Sequence, residues 1–244
     1  MPRPRKPQRG SSYRSFAIVH EDEHLLVVSK PAGLLTNMAE DGEQTLQDQL
    51  RKHFKQPEIA AVHRLDRYTS GLVIFGRTPA ALSALGEMLR EDRFEKRYWV
   101  LTAGVPMPRK GTINVPLAKI EHPRRKVAVS KAAEAQTTIT DYEVEEVLDA
   151  YALVAATIRT GRTHQLRAHF EHIGCPIAGD GIYGNRKANG ELRHQCGLQR
   201  QFIHARALTF THPITGQKLA LQAKLPKDLS RVLKCLRESG LQQA

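Results

Sequence analysis

The sequence predicts an α+β fold on a mostly antiparallel, mixed β-sheet. Segments rich in β-branched and aromatic residues outnumber those with helical spacing. The helices do not alternate strictly with the strands, which argues against a doubly wound parallel sheet. From Phe16 onward, glycine and proline turn signals divide the chain into short apolar runs with no internal repeat.

Each element has a local cause. Residues 24–29 (HLLVVS) form an apolar run stopped by Pro31 and Gly33, the pattern of a buried strand entering a turn. Leu46, Leu50 and Phe54 recur at four-residue spacing behind Thr45, whose hydroxyl suits an N-cap, so a helix is predicted there. Residues 61–65 and 72–75 read as strands flanking a polar turn. Thr78 and Pro79 open a second helix with Leu82, Leu85 and Leu89 on one face. Further strands are predicted at residues 97–102, 137–144, 153–158 and 202–210. Residues 163–173 read as a short helix that buries Leu166, Phe170 and Ile173, and a long loop is expected from 174 to 197.

The 244 residues suffice for one substantial core, and we read residues 16–235 as one domain with a tail at 236–244. Residues 1–15 read as a basic arm: the first fourteen hold five basic side chains and no acid, too little apolar surface to offset chain entropy. Hydrophobic residues make up 41% of the chain, and no run approaches the roughly 18 apolar residues of a membrane span. The arm lacks the apolar stretch of a secretory signal, so a soluble, cytoplasmic protein is expected. Cys175, Cys196 and Cys235 lie far apart with no CxxC, and they read as reduced thiols. His164, His169 and His172 cluster in sequence without a carboxylate or cysteine at metal-site spacing, so no metal is expected. A net charge of +12 points to a polyanionic partner, nucleic acid above all, although a basic surface can also serve solubility alone.

Three segments could carry chemistry. In residues 63–71 (HRLDRYTSG), Asp66 follows a strand and is bracketed by Arg64 and Arg67; a carboxylate among cations stays ionised and can act as nucleophile or base. A simple Asx turn closed by Ser70 and Gly71 explains the same residues. In residues 159–169 (RTGRTHQLRAH), a glycine turn opens a helix whose free amides suit an anion, with His164 and Arg167 on one face. That segment could hold a phosphate, clamp a carboxylate or be a solvated basic face. In residues 93–100 (RFEKRYWV), alternation sets Tyr98 and Val100 on one face and Trp99 on the other. Aromatics among basic residues suit unpaired bases, though an ordinary strand with one buried ring explains the segment taken alone.

Taken in order, these segments resemble the RluA-type pseudouridine synthases from about residue 16 to 225. The resemblance rests on DEHLLVVSKPAGLLT (22–36), HRLDRYTSGLVIFGRT (63–78), KRYWVLTAG (96–104), RTGRTHQLRAHFEHIGCPIAGDGIYG (159–184) and IHARALTFTHP (203–213). It implies a long mixed sheet in two subdomains with a central RNA-binding cleft, residues 16–235 being the catalytic domain. It also implies that Asp66 is the essential carboxylate, that Arg167 pairs with it, and that Tyr98 packs on the target base. Arg64 would enter the RNA stack in place of the flipped uridine, with His63, Arg162, His164, Gln165 and Ile203 also at the RNA. The expected activity is isomerisation of specific uridines in structured rRNA or tRNA, without cofactor, by a monomer. Many relatives carry an N-terminal S4-type domain, for which residues 1–15 are too short. A noncatalytic RNA-binding or RNA-folding protein is the alternative reading; a metal-assisted nuclease would need clustered carboxylates that the sequence does not offer.

Overall fold

The computed structural model describes residues 16–38, 42–121 and 127–241. The basic arm expected at residues 1–15 lies outside them. The chain begins with β1 (Ala17–Glu21), β2 (Leu25–Lys30), α1 (Leu46–Phe54), β3 (Ala60–Ala61), β4 (Ser70–Gly76) and α2 (Pro79–Arg90). It continues through β5 (Glu95–Ala103), β6 (Lys110–Asn114), β7 (Leu117–Lys119), β8 (Val127–Val129), β9 (Ile139–Leu148) and β10 (Tyr151–Ile158). The last third holds α3 (Gln165–His172), α4 (Arg186–Cys196), β11 (Ile203–Thr211), β12 (Lys218–Gln222) and α5 (Lys227–Leu241).

One sheet dominates, in the order β1-β2-β4-β11-β5-β10-β9-β6, with β12 beside β11 and β3 beside β4. Its ladders are antiparallel except β4 against β11, where His204 pairs with Ser70 and Ala205 with Gly71. That seam requires glycine: Gly71 has φ of +117°, and a Cβ there would lie 2.2 Å from Ala205 O.

Strand alternation sends apolar side chains to both faces. On one face, Val28, Val73, Tyr98, Val154 and Ala205 share a core with Leu46 and Leu50 of α1 and Leu166 and Phe170 of α3. On the other, Leu72, Ile74 and Phe210 pack with Leu85 of α2, while Leu101 and Leu153 pack with Leu192 of α4 and Leu229 of α5. Each half of the sheet therefore carries its own helices, and the middle is left for the site.

The helices form where the sequence places their caps. Thr45 Oγ1 accepts from Asp48 N, and Asp48 Oδ2 accepts from Thr45 N, a reciprocal capping box for α1. Thr78 caps α2 with a single bond, its Oγ1 accepting from Ala81 N.

Four expectations require correction. The strand predicted over 61–65 pairs only at its start, because the His63 ring accepts from Ile74 N, and Leu65 N turns to the Thr36 hydroxyl. The loop predicted over 174–197 contains α4, capped by Asn185 and buried through Leu192 and Cys196. The tail drawn from 236 is cut from the middle of α5, which buries Leu229, Val232, Leu233 and Leu236. Finally, Cys196 and Cys235 are not reduced thiols: they form a disulfide that joins α4 to α5, leaving Cys175 free and buried.

Candidate active site

A cavity of about 340 Å³ opens over the middle of the sheet. Asp66 stands in its wall on the turn between β3 and β4, its side chain about a quarter exposed. Opposite is the start of α3, which supplies Arg167 and His164; Tyr98 of β5 and Ile203 of β11 form the floor between them. The three segments singled out in the sequence thus converge on one cavity.

Arg167 is almost fully buried and doubly held. Its Nη1 donates to Asp66 Oδ2 at 3.3 Å, while Nε and Nη2 donate to the two oxygens of Asp180 at 2.6 and 2.9 Å. Burial works against the Arg167 charge, but Asp180 and then Asp66 outweigh it and hold its pKa above the ordinary value. Burial likewise opposes the Asp180 charge, and Arg167 with the amides of Ile182 and Tyr183 overrides it, so Asp180 lies below the usual carboxylate range. The result is a fixed guanidinium with one amino group turned to Asp66.

His164 has a left-handed backbone at φ 53°, which ends the loop and starts α3. Its Nδ1 meets the Tyr183 hydroxyl at 3.1 Å, and its Nε2 lies 3.8 Å from Asp66. The Tyr183 ring lies under the Arg167 guanidinium, 4.9 Å from its centroid. Tyr98 is buried; burial first, and the nearby Asp66 second, push its phenol pKa up, so it stays protonated at neutral pH. Trp99 points to the opposite face as alternation requires, donating to Glu145 at 2.8 Å under the Arg206 guanidinium.

Other expected residues separate into rim and support. Arg64 and Arg162 are exposed at the rim. His63 lines the cavity as a neutral acceptor, its pKa pushed down to about 3 by burial and by Lys96. Gln165 is buried with its carboxamide accepting from Thr160 and Arg162 N and donating to Ile139 O and Thr140, so it fastens α3 to the start of β9. The cations at Asp66 are not its sequence neighbours: Arg67 turns away to Glu43, donating at 2.8 Å, and Arg64 faces solvent. Among the described residues, no three histidines, cysteines or acids are grouped to hold a metal, and His169 is spent between Thr138 and Thr140.

Four contributors escaped sequence reasoning. Asp180 and Tyr183 lie in GDGIYG, where an acid between two glycines was a readable sign of a tight buried turn. Lys30, fully buried, donates to the carbonyls of Pro31, Leu34 and Arg67 at 2.7–3.1 Å; burial pushes its pKa down to about 7 while Asp66 opposes the shift. Asn37 lines the cavity with Oδ1 buried and without a hydrogen-bond partner among the described residues, an acceptor that a bound ligand's N–H would satisfy.

Comparison with known proteins places the chain in a family. The family model described as RNA pseudouridylate synthase matches residues 24–172. The ribosomal large subunit pseudouridine synthase D of Xanthomonas campestris is 34% identical over 243 residues, covering 93% of this chain and 71% of that protein. Synthase C of Escherichia coli is 37% identical over 228 residues, with 91% and 70% covered. Among solved structures, human RNA pseudouridylate synthase domain containing 4 superposes with a TM-score of 0.76 at 28% identity, covering 90% of this chain and 92% of its own. With Asp66, Tyr98 and Arg167 gathered in one cavity and the family match running through all three, the chain belongs to the RNA pseudouridylate synthase family, of the RluA type.

Proposed function

We propose that Asp66 is the reacting carboxylate of this RNA pseudouridine synthase and that its target is a uridine flipped out of folded rRNA or tRNA. The observation that carries the reading is the Asp66–Arg167–Asp180 array facing Tyr98 across a cavity large enough to admit a flipped base. The reaction breaks the bond from N1 to C1′, turns the uracil, and joins C5 to the same sugar carbon; C5 gives up its proton and N1 gains one. Extrusion of the base costs on the order of a few kcal/mol. Phosphate contacts from the basic rim and the apolar contact with Tyr98 and Ile203 offset that cost.

Cleavage leaves positive character at C1′ and negative charge on the uracil. Asp66 can meet the sugar by attack or by proton removal, or add to the uracil ring, and all three need the carboxylate ionised and aimed. Arg167 supplies both conditions. Tyr98, kept protonated, packs against the base rather than acting as a base itself. Asn37 offers its buried acceptor to the imide N–H of the ring. The set lies within one chain, which supports action as a monomer, and an rRNA or tRNA substrate supports a cytoplasmic enzyme.

The decisive measurement is a carbodiimide map of pseudouridine in total rRNA and tRNA from cells lacking the gene, complemented by wild type or Asp66→Asn. We expect one or a few sites to return with wild type and none with Asp66→Asn, which keeps shape and removes the nucleophile. Restoration by Asp66→Asn would remove Asp66 from the chemistry. A map unchanged by loss of the gene would favour the noncatalytic RNA-binding reading.

A further inference from the structure

The turn that carries Asp66 lies between β3 and β4, outside the sheet ladders, so its position depends on what grips it. Its own backbone closes with a bond from Thr69 N to Asp66 O at 3.0 Å. On one side, Lys30 Nζ and Gly33 N both donate to Arg67 O, at 3.1 and 2.8 Å. On the other side stands Arg200, buried just before β11. Its Nη1 donates to Tyr68 O at 2.9 Å, and its Nη2 donates to Ser70 Oγ at 3.2 Å. The next residue, Gln201, donates from Nε2 to Thr69 Oγ1 at 3.0 Å, and His204 meets Ser70 Oγ at 3.0 Å. Tyr68, Thr69 and Ser70 are therefore each held from the β11 side.

Arg200 also spans two walls of the cavity. Its Nη1 reaches Ile203 O at 3.5 Å, so one guanidinium ties the wall bearing Ile203 to the turn bearing Asp66. A third direction is fixed from outside: Nε donates to Asp228 Oδ2 at 2.7 Å, in the first turn of α5, and the Asp228 side chain is half exposed. A planar fork can make these bonds in three directions at once, and a lysine ammonium on a flexible stem cannot.

We infer that Arg200 is a positioning residue for Asp66: it sets where the carboxylate stands relative to Tyr98 and Ile203, and Asp228 sets the orientation of Arg200. The inference rests on reading Asp66 as the reacting group. Arg200 sits behind the cavity wall, so its effect belongs in the rate of the chemical step and not in RNA affinity. A displacement of about 1 Å at a reacting group can cost on the order of 100-fold in rate.

The test is single-turnover kinetics on a transcript spanning the uridine mapped above, using Arg200→Lys, Arg200→Ala and Asp228→Asn, with thermal melting of each variant. We expect Arg200→Lys to lower the maximal rate about 100-fold while half-saturation stays within about threefold. Asp228→Asn should give a smaller loss, about three- to tenfold, with the same split. Added guanidinium ion should restore rate to Arg200→Ala and none to Asp66→Asn. Wild-type maximal rates in the Arg200 variants would overturn the inference. So would losses that fall equally on rate and RNA affinity, track the fall in melting temperature and resist guanidinium. If Arg200→Ala does not fold, Arg200→Lys and Asp228→Asn still decide. Full turnover by Asp66→Asn would instead sink the active-site reading, whereas a dead Asp66→Asn beside wild-type Arg200 variants sinks this inference alone.

Discussion

Arg167 is held by two carboxylates with different work to do. Asp180, fully buried, takes two of its donors and orients it; Asp66, partly exposed, receives the third and meets the cavity. Asp180→Asn would therefore leave a buried guanidinium facing an amide that offers only one acceptor. We expect it to lose about 3–5 kcal/mol of stability by denaturant unfolding, since breaking a buried pair strands its charge. Turnover should fall as well, because Arg167 is no longer aimed at Asp66; a variant with wild-type unfolding would show that Asp180 contributes little. The convergence of Asp66, Tyr98 and Arg167 on one cavity was legible because each sits in a motif that fixes its neighbours along the chain. Asp180 and Arg200 were not, since their roles consist of contacts 13 and 130 or more positions away in sequence. The bracketing of Asp66 by Arg64 and Arg67 misled for the same reason: adjacency in sequence did not become adjacency of charge in space.

Elements were readable where burial imposes one clear period. The spacing of Leu46, Leu50 and Phe54 behind a capping threonine gave α1, and alternation around Tyr98 and Trp99 gave β5. In α4, Asn189 and Gly190 interrupt the helical pattern, so two buried positions four apart, Leu192 and Cys196, were too little to reveal it. In α5 the apolar set at 229, 232, 233 and 236 has regular helical spacing, and it was legible but unread. The disulfide between these helices depends on their packing and not on any cysteine spacing. It closes a separation of 39 residues. Loop-closure entropy predicts a contribution of about 2–4 kcal/mol, so reductant or Cys235→Ser should lower the melting temperature measurably. Thiol titration of the denatured protein should find Cys175 alone before reduction and three thiols after. Equal melting with and without reductant would mean that packing of α5 alone holds the helix pair.

For the whole molecule, the buried histidines and Lys30 make stability rise with pH. His169 and His204 are held neutral, their pKa values pushed down to about 4, and His63 to about 3, by burial first of all. In the unfolded chain each returns to about 6.5. Between pH 6.5 and 4 the unfolded state therefore binds more protons than the folded one, and stability must fall as pH falls. Lys30 extends the trend above neutrality: with a folded pKa of about 7, against 10.5, its contribution to stability rises from pH 7 upward as the cost of burying its charge is relieved. Both windows have the same sign, so the protein should be more stable at mildly alkaline than at mildly acidic pH. His169 offers the cleanest check because it lies away from the cavity, with ring nitrogens 2.7 and 3.0 Å from the hydroxyls of Thr138 and Thr140. Urea unfolding of wild type and His169→Asn at pH 7.5, 5.5 and 4.5 should give a shallower decline in the variant, whatever its stability at pH 7.5. Parallel declines would assign the acid sensitivity to other groups, and the neutral burial of His169 would not be its source.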